Sequence, residues 1–304
     1  MRRITAALVL VLAAAAGCAG TTGAPPGATP SDSGAFADRA RAVADAWRAG
    51  PATGAWRTGF VPLADLTVPP AGGFPNDNSK QAYINGWYAA TGPLPTAPFG
   101  PGTIGFPDGS TMSVPLVSGQ DAYAALDKGD APGCPKNPVV HPGPGTGGSP
   151  ACATLLVTDV TLGETKLRTS RGEATVPAWL FSVMGLREPI ARVAVAPSAV
   201  TPLPSPSVPP APRIEGFVTA QDLVGVDGAK VTYRLGVGAC DYDIRPLLYE
   251  TGEVVVVGGS VKTKEGACIA ILKLEPVTVT LATPLGGRPV VDAATGAPLV
   301  LTVR

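Results

Sequence analysis

The clearest periodic pattern of apolar residues lies between Ser33 and Gly50. Apolar side chains recur there at helical spacing, on one face of the predicted helix: Phe36, Ala40, Val43 and Trp47. The opposite face is assigned the polar residues Asp38, Arg39, Arg41, Asp45 and Arg48. The pattern predicts an amphipathic helix that packs on a folded domain. A membrane-surface helix is disfavoured because the polar face is mixed in sign rather than basic.

The next hundred residues are irregular, because prolines interrupt almost every apolar run. Two short elements are expected within them, a strand over Tyr83–Tyr88 and one or two helical turns over Asp121–Leu126. From Ala153 the pattern changes to the alternation that is typical of β-strands. Two runs, Ala174–Met184 and Ile190–Ala196, flank a turn-like segment and predict a hairpin.

Six prolines between Thr201 and Pro212 predict a stiff linker between two domains. Further strand candidates follow it, at residues 213–219, 229–237, 254–257, 267–274, 277–282 and 299–303. We expect a mainly β chain with two β-sandwich or partly open barrel-like units, an N-terminal helix and a Pro/Gly-rich irregular region. The predicted divisions are a signal peptide at 1–17, a tether at 18–33, a first domain at 34–200, the linker at 201–212 and a second domain at 213–304.

The first residues have the features of an export signal. Arg2 and Arg3 precede an uncharged apolar run that is too short to span a membrane. The run ends at Gly17-Cys18, which resembles the lipobox of bacterial lipoproteins, although Ala15 stands where that motif usually has Leu. The resemblance implies lipid attachment at Cys18 and anchoring to the outer face of the cytoplasmic membrane. Ordinary cleavage and secretion is the alternative.

Composition and charge restrict the partners. Without Arg2 and Arg3 the chain has 21 basic residues against 23 acidic ones, and it contains no basic run. Neither nucleic acid nor an anionic surface is therefore expected as the main partner, since both reward basic clusters. No cofactor is expected either, because the sequence contains no Walker loop, dinucleotide fingerprint or zinc-protease motif.

Four cysteines remain once Cys18 is set aside: Cys134, Cys152, Cys240 and Cys268. An even number in an exported chain predicts disulfides, and three pairings are possible. The sequential pairing keeps each bridge inside one predicted domain. A metal site is disfavoured because there is no Cys-x-x-Cys pair and His141 is the only histidine.

Candidate chemistry is sparse, and no catalytic residue is predicted. His141 lies in a Pro/Gly loop without a nucleophile motif, so a solvated loop residue is favoured. Asp241 and Asp243, with Arg245 and Glu250 nearby, form the densest polar cluster. They are candidate ligand-binding residues, while an ion pair with Arg245 is the simpler interpretation.

Aromatic residues gather in the irregular region: Phe74, Tyr83, Trp87, Tyr88, Phe99 and Phe106. Tyr83, Trp87 and Tyr88 are the candidate ligand-binding residues, because flat apolar faces beside short polar side chains suit stacked sugars. The alternative is that these rings fill the core of a region with few other large side chains.

Three stretches resemble uncharacterised secreted lipoproteins of actinobacteria. They are Thr169–Gly172 with Val176–Phe181, Tyr249–Thr251, and Thr280–Asp292. The resemblance implies an exported location and brings no catalytic residues. The sequence thus favours a non-enzymatic binding or interaction protein of the cell envelope, with cell-wall glycan or another envelope protein as its partner. A carboxylate-based hydrolase acting on cell-wall or extracellular glycan is the alternative.

Overall fold

The part of the chain that the structure describes is mainly β, as expected, with 42% strand and 18% helix, and none of the sheets in it closes into a barrel. A computed structural model describes residues 30–50, 52–97, 100–130, 154–205, 208–210 and 214–302, with side chains from Gly34 onwards. Within these ranges no helix is both long enough and apolar enough to cross a bilayer.

A seven-stranded sheet forms the first β unit. Its strands run in the order β1-β7-β6-β3-β4, with β5 on the other edge of β6 and β2 parallel to β5. Its elements are β1 (Thr67–Val68), α3 (Asp77–Asn85), β2 (Tyr88–Ala90), β3 (Gly102–Gly105), β4 (Thr111–Val114), α4 (Gly119–Leu126), β5 (Leu155–Thr169), β6 (Gly172–Val183) and β7 (Ile190–Val193). The predicted hairpin is confirmed, since β6 and β7 pair antiparallel.

The two short elements of the irregular region have different outcomes. The helical turns at Asp121–Leu126 are confirmed within α4, where the Ser118 hydroxyl accepts a hydrogen bond from the Asp121 amide. The strand predicted over Tyr83–Tyr88 is wrong for most of its length. Asn76 caps α3, which continues to Asn85 and ends at Gly86 with a left-handed φ of 73°. The N-terminal cap and the left-handed glycine define a helix there, although the apolar residues of this segment do not follow a strong helical period.

Two sheets form the second β unit. A three-stranded sheet has the order β13-β10-β9, and a four-stranded sheet has the order β11-β12-β14 with β8 also on β12. The strands are β8 (Phe217–Val218), β9 (Ala220–Asp227), β10 (Lys230–Gly238), β11 (Asp241–Glu250), β12 (Val255–Thr263), β13 (Leu272–Thr280) and β14 (Val290–Asp292). One strand, β13, replaces the two expected at 267–274 and 277–282. No strand forms over the described residues of the expected 299–303, where Leu301 makes only isolated bridges. The sequence did not predict β9, β11 or β14.

The N-terminal helix packs on this second unit. Helix α1 (Pro30–Ala49) lies against β11 and β12, and α2 (Ala52–Thr58) follows it. Val254 and Val256 join a cluster with α1, while Val255 and Val257 face the three-stranded sheet. Strand β12 is thus buried on both faces, which explains its unbroken apolar run.

The prediction that Arg39 lies on the exposed polar face of α1 is wrong. It is only 4% exposed and donates hydrogen bonds to the carbonyl oxygens of Ala293, Pro209 and Ala294 at 2.7, 2.6 and 2.5 Å. Arg39 lies three residues after Phe36 and four before Val43, so helical spacing places it on the packed face. Its charge suggested an exposed position, but three carbonyl acceptors satisfy the guanidinium inside the protein.

Candidate functional site

A pocket of about 280 Å³ opens where α1 and α2 meet the turns of the second β unit. Six residues define its chemistry, and we call it the Trp–Arg pocket: Trp47, Arg48, Trp56, Arg57, Glu253 and Arg288. Its walls come from three separate parts of the chain, namely the two helices, the turn between β11 and β12, and the loop before β14.

The two tryptophans form the rigid part of the Trp–Arg pocket. Their rings are in an edge-to-face arrangement with centroids 5.5 Å apart, and each residue is only 3% exposed. The indole N–H of Trp47 donates to the carbonyl of Gly296, and that of Trp56 donates to the carbonyl of Gly287, both at 2.8 Å. Because both polar atoms are bonded, the rings are locked in place.

The charged rim of the pocket is much more exposed. Glu253 accepts from Arg48 at 2.9 Å and lies 3.4 Å from Arg57. The Arg48 and Arg57 side chains are 54% and 62% exposed, and Arg48 also pairs with Asp45. The hydrogen bond from Arg48 holds the pKa of Glu253 below its ordinary value, so Glu253 is ionised at neutral pH.

Arg288 has a structural role beneath this rim. It donates to Glu250 at 2.7 Å and to backbone carbonyls of Thr251, Thr283, Pro284 and Leu285. Burial raises the pKa of Glu250, but the hydrogen bonds from the Ala282 amide and Arg288 outweigh it and leave the pKa below its ordinary value. This ion pair fixes the loop that carries Gly287, the acceptor for Trp56.

Tyr83, Trp87 and Tyr88 lie together in the core beneath the seven-stranded sheet. Tyr88 is 4% exposed, and Tyr83 and Trp87 are half-buried against the same cluster. The Tyr83 hydroxyl donates to the Thr67 carbonyl at 3.0 Å, and burial raises its pKa to about 12. Rings in this arrangement act as packing residues, and a ligand site at them stays a prediction.

Asp241 and Asp243 lie at the start of β11, and hydrogen bonds within the protein engage both. Asp241 accepts from the Gly238 amide at 2.6 Å and from the Thr263 hydroxyl at 2.8 Å. Asp243 pairs with Arg245 and with Lys262, each at 3.0 Å, and the hydrogen bond from Arg245 lowers its pKa. The polar atoms that were candidates for a ligand therefore have partners within the chain.

The cysteine prediction is confirmed for one pair. A disulfide joins Cys240 to Cys268, with Cα atoms 6.0 Å apart. Cys18, Cys134, Cys152 and His141 lie outside the described residues. Among the residues that are described, no group of three His, Cys, Asp or Glu side chains could hold a metal ion.

The sequence did not single out any residue of the Trp–Arg pocket as a site. Trp47 and Arg48 were assigned to the helix, and no local motif distinguishes Arg57, Glu253 or Arg288. These residues are brought together only by contacts between positions about 200 residues apart. No protein family, curated protein or solved structure matches the chain.

Proposed function

We propose that the protein is an envelope lipoprotein that binds a carboxylate-bearing fragment of the cell wall in the Trp–Arg pocket. In this proposal Cys18 carries the lipid that holds the chain on the outer face of the cytoplasmic membrane. The protein acts by binding rather than by catalysis. A carboxylate is the expected ligand group because two exposed guanidinium groups share one carboxylate, and Arg is suited to planar, bidentate pairing.

The contact between Arg57 and Glu253 is the observation that carries the ligand proposal. It is long, at 3.4 Å, and the same carboxylate already accepts a shorter bond from Arg48. Within the described part of the chain, no other polar contact of the Arg57 guanidinium is seen. A ligand carboxylate can therefore pair with Arg57 without breaking a strong internal bond, while the fixed tryptophans form the apolar wall beside it.

The protonation of the carboxylates supports binding over glycan hydrolysis. Glycosidases need a carboxylic acid whose pKa is raised so that it can protonate the leaving group. Glu250, Glu253 and Asp243 instead have lowered pKa values. Burial raises the pKa of Asp292, but this residue is 2% exposed and its oxygens accept from the Ala220 and Thr295 amides.

Co-sedimentation with purified peptidoglycan tests the ligand proposal. The wild-type protein is expected to pellet with the wall material, and Arg57→Gln to pellet at least about tenfold less, as loss of a charge-assisted pair implies. Arg187→Gln is the matched control, since it removes an exposed arginine of the other β unit. Reducing sugar is measured in the same samples. If the wild-type protein releases reducing sugar and Asp243→Asn or Glu250→Gln abolishes that release, the binding proposal is contradicted and the hydrolase is supported.

The anchor is tested separately in cells. Metabolic labelling with a radioactive fatty acid is expected to mark the wild-type protein and to leave Cys18→Ala unlabelled. A labelled Cys18→Ala protein, or an unlabelled wild type, contradicts lipid attachment at Cys18 and favours secretion.

A further inference from the structure

One end of the second β unit carries a cluster of apolar side chains in solvent. Ile269, Ile271 and Leu272 are 67%, 50% and 67% exposed, and Tyr242, two residues after Cys240, is 44% exposed. Every residue from Lys262 to Lys273 is exposed. Scattered single apolar residues need no explanation, but neighbouring ones of this size mark an interaction surface.

The exposed apolar residues are held by strand ends and a disulfide. Strands β10 and β12 end here, while β11 and β13 begin here, so the turns between them meet at one end of the unit. The Cys240–Cys268 disulfide links the two turns, and the Lys264 amide donates to the Cys240 carbonyl at 3.1 Å. We call residues 238–242 and 262–273 the C-terminal tip. Its side chains are thus presented at fixed positions rather than on a free loop.

The C-terminal tip also carries basic residues. Lys264 lies 6.0 Å from the centre of the Tyr242 ring, and Lys273 directly follows Leu272. Lys262 pairs with Asp243 just outside the tip, and Asp241 accepts from the Gly238 amide and the Thr263 hydroxyl. With Glu265, the tip thus holds three lysines against two carboxylates. Apolar residues with a tyrosine and flanking lysines match the interface of a bilayer, where the ammonium groups reach the headgroups.

The direction of α1 brings the predicted anchor to the same end. Phe36 packs beside Gly258, and Arg48 pairs with Glu253, so α1 runs antiparallel to β12. The start of the helix therefore points towards the end of β12, which belongs to the C-terminal tip. Residues 18–29 precede the helix, and even fully extended they reach at most about 40 Å.

We infer that the C-terminal tip docks on the surface of an anionic membrane, with Ile269, Ile271 and Leu272 entering the interface. This inference rests on the proposed function only for the anchor, which holds the tip within reach of the bilayer and raises its effective concentration there. The lysines then meet the anionic headgroups, and each is worth about fivefold in membrane affinity.

Docking through the tip also orients the Trp–Arg pocket. The tip lies at the start of β11, and the pocket lies beyond its end at the turn containing Gly252 and Glu253. Ten residues of strand separate the two ends by about 30 Å. The pocket accordingly faces away from the membrane, towards the wall material that it is proposed to bind.

Vesicle co-sedimentation of the chain from Ala19 onwards, which lacks Cys18, tests the inference. The probes are vesicles of phosphatidylcholine alone and of phosphatidylcholine mixed with phosphatidylglycerol. Wild-type protein is expected to bind the anionic vesicles, and Ile269→Ser/Leu272→Ser to lower the partition coefficient about tenfold or more. Met184→Ser, which removes a 55% exposed apolar residue from the other unit, is expected to change it less than about twofold.

A charge-reversal pair tests the lysines. Lys264→Glu/Lys273→Glu is expected to reduce binding to anionic vesicles at least about tenfold and to leave binding to phosphatidylcholine unchanged. Lys80→Glu, on α3, is the control. All variants are compared by thermal unfolding, and equal midpoints are expected because the changed side chains are exposed.

Two results overturn the inference. One is a wild-type chain that does not bind anionic vesicles, or tip variants that bind as well as wild type. The other is sedimentation equilibrium showing a dimer that Ile269→Ser/Leu272→Ser dissociates, since a second copy then covers the tip. Neither result depends on Cys18, so the vesicle assay can fail while the labelling and peptidoglycan experiments succeed.

Discussion

Arg39 offers the sharpest test of how α1 is held. Replacing it with methionine keeps most of the aliphatic packing but removes three hydrogen bonds to backbone carbonyls. The carbonyl oxygens of Ala293, Ala294 and Pro209 lose these donors. At about 1–1.5 kcal/mol each, the expected loss in the free energy of unfolding is about 3–4.5 kcal/mol. Burial lowers the Arg39 pKa and nearby Asp292 partly offsets this, so removing the cation also leaves that carboxylate less stabilised.

Equilibrium unfolding in urea, followed by tryptophan fluorescence, measures this loss. Arg41→Met is the matched control, because Arg41 lies on the same helix with a side chain that is 56% exposed, and its ion pair is with the exposed Asp38. It is expected to lower the free energy of unfolding far less than Arg39→Met does, because an exposed ion pair contributes little to stability. An Arg39→Met protein as stable as Arg41→Met refutes the view that Arg39 fastens α1 to the second β unit.

Three further predictions concern other regions. The Tyr88 hydroxyl is buried with no partner among the described residues, so Tyr88→Phe is expected to raise thermal stability by about 1 kcal/mol; lower stability contradicts this. Replacing Cys240 and Cys268 with serine is expected to cost about 3–4 kcal/mol in chemical denaturation, because the disulfide spans 28 residues; an unchanged midpoint contradicts it. Hydrogen bonds from Ser110, and then from Arg171, lower the Asp108 pKa to about 2. The stability that Asp108 contributes is thus present above its ordinary pKa of about 4 and lost as the pH falls towards 2. An NMR titration is expected to show a higher Asp108 pKa in Ser110→Ala, and an unchanged value removes the assigned cause.

The elements that the sequence predicted well are those with a strong local period or a clear turn. Helix α1, the β6–β7 hairpin and the turns of α4 belong to this group. The error at Tyr83–Tyr88 has a local cause, because the Asn76 cap and the left-handed Gly86 carry more information than the apolar pattern between them. The predicted domain boundaries remain a prediction, although α1 packs on strands far along the chain.

The candidate site was much less predictable than the fold. The aromatic residues chosen for their composition lie in a packed core, while Arg57 and Glu253 meet only because α2 and the β11–β12 turn are brought together. A local pattern cannot encode such a contact between residues 196 positions apart. The burial of Arg39 was unpredictable for the same reason, since it depends on the carbonyl oxygens of Pro209, Ala293 and Ala294, which are distant in the sequence.

Calorimetric titration with soluble peptidoglycan fragments tests the central claim, that the Trp–Arg pocket recognises a carboxylate through Arg57. One fragment preparation keeps its free carboxylates, and a matched preparation has them amidated. The wild-type protein is predicted to bind the free form at least about tenfold more tightly, and Arg57→Gln to lose that preference. Equal affinity of the wild type for both preparations, or an undiminished preference in Arg57→Gln, contradicts the claim.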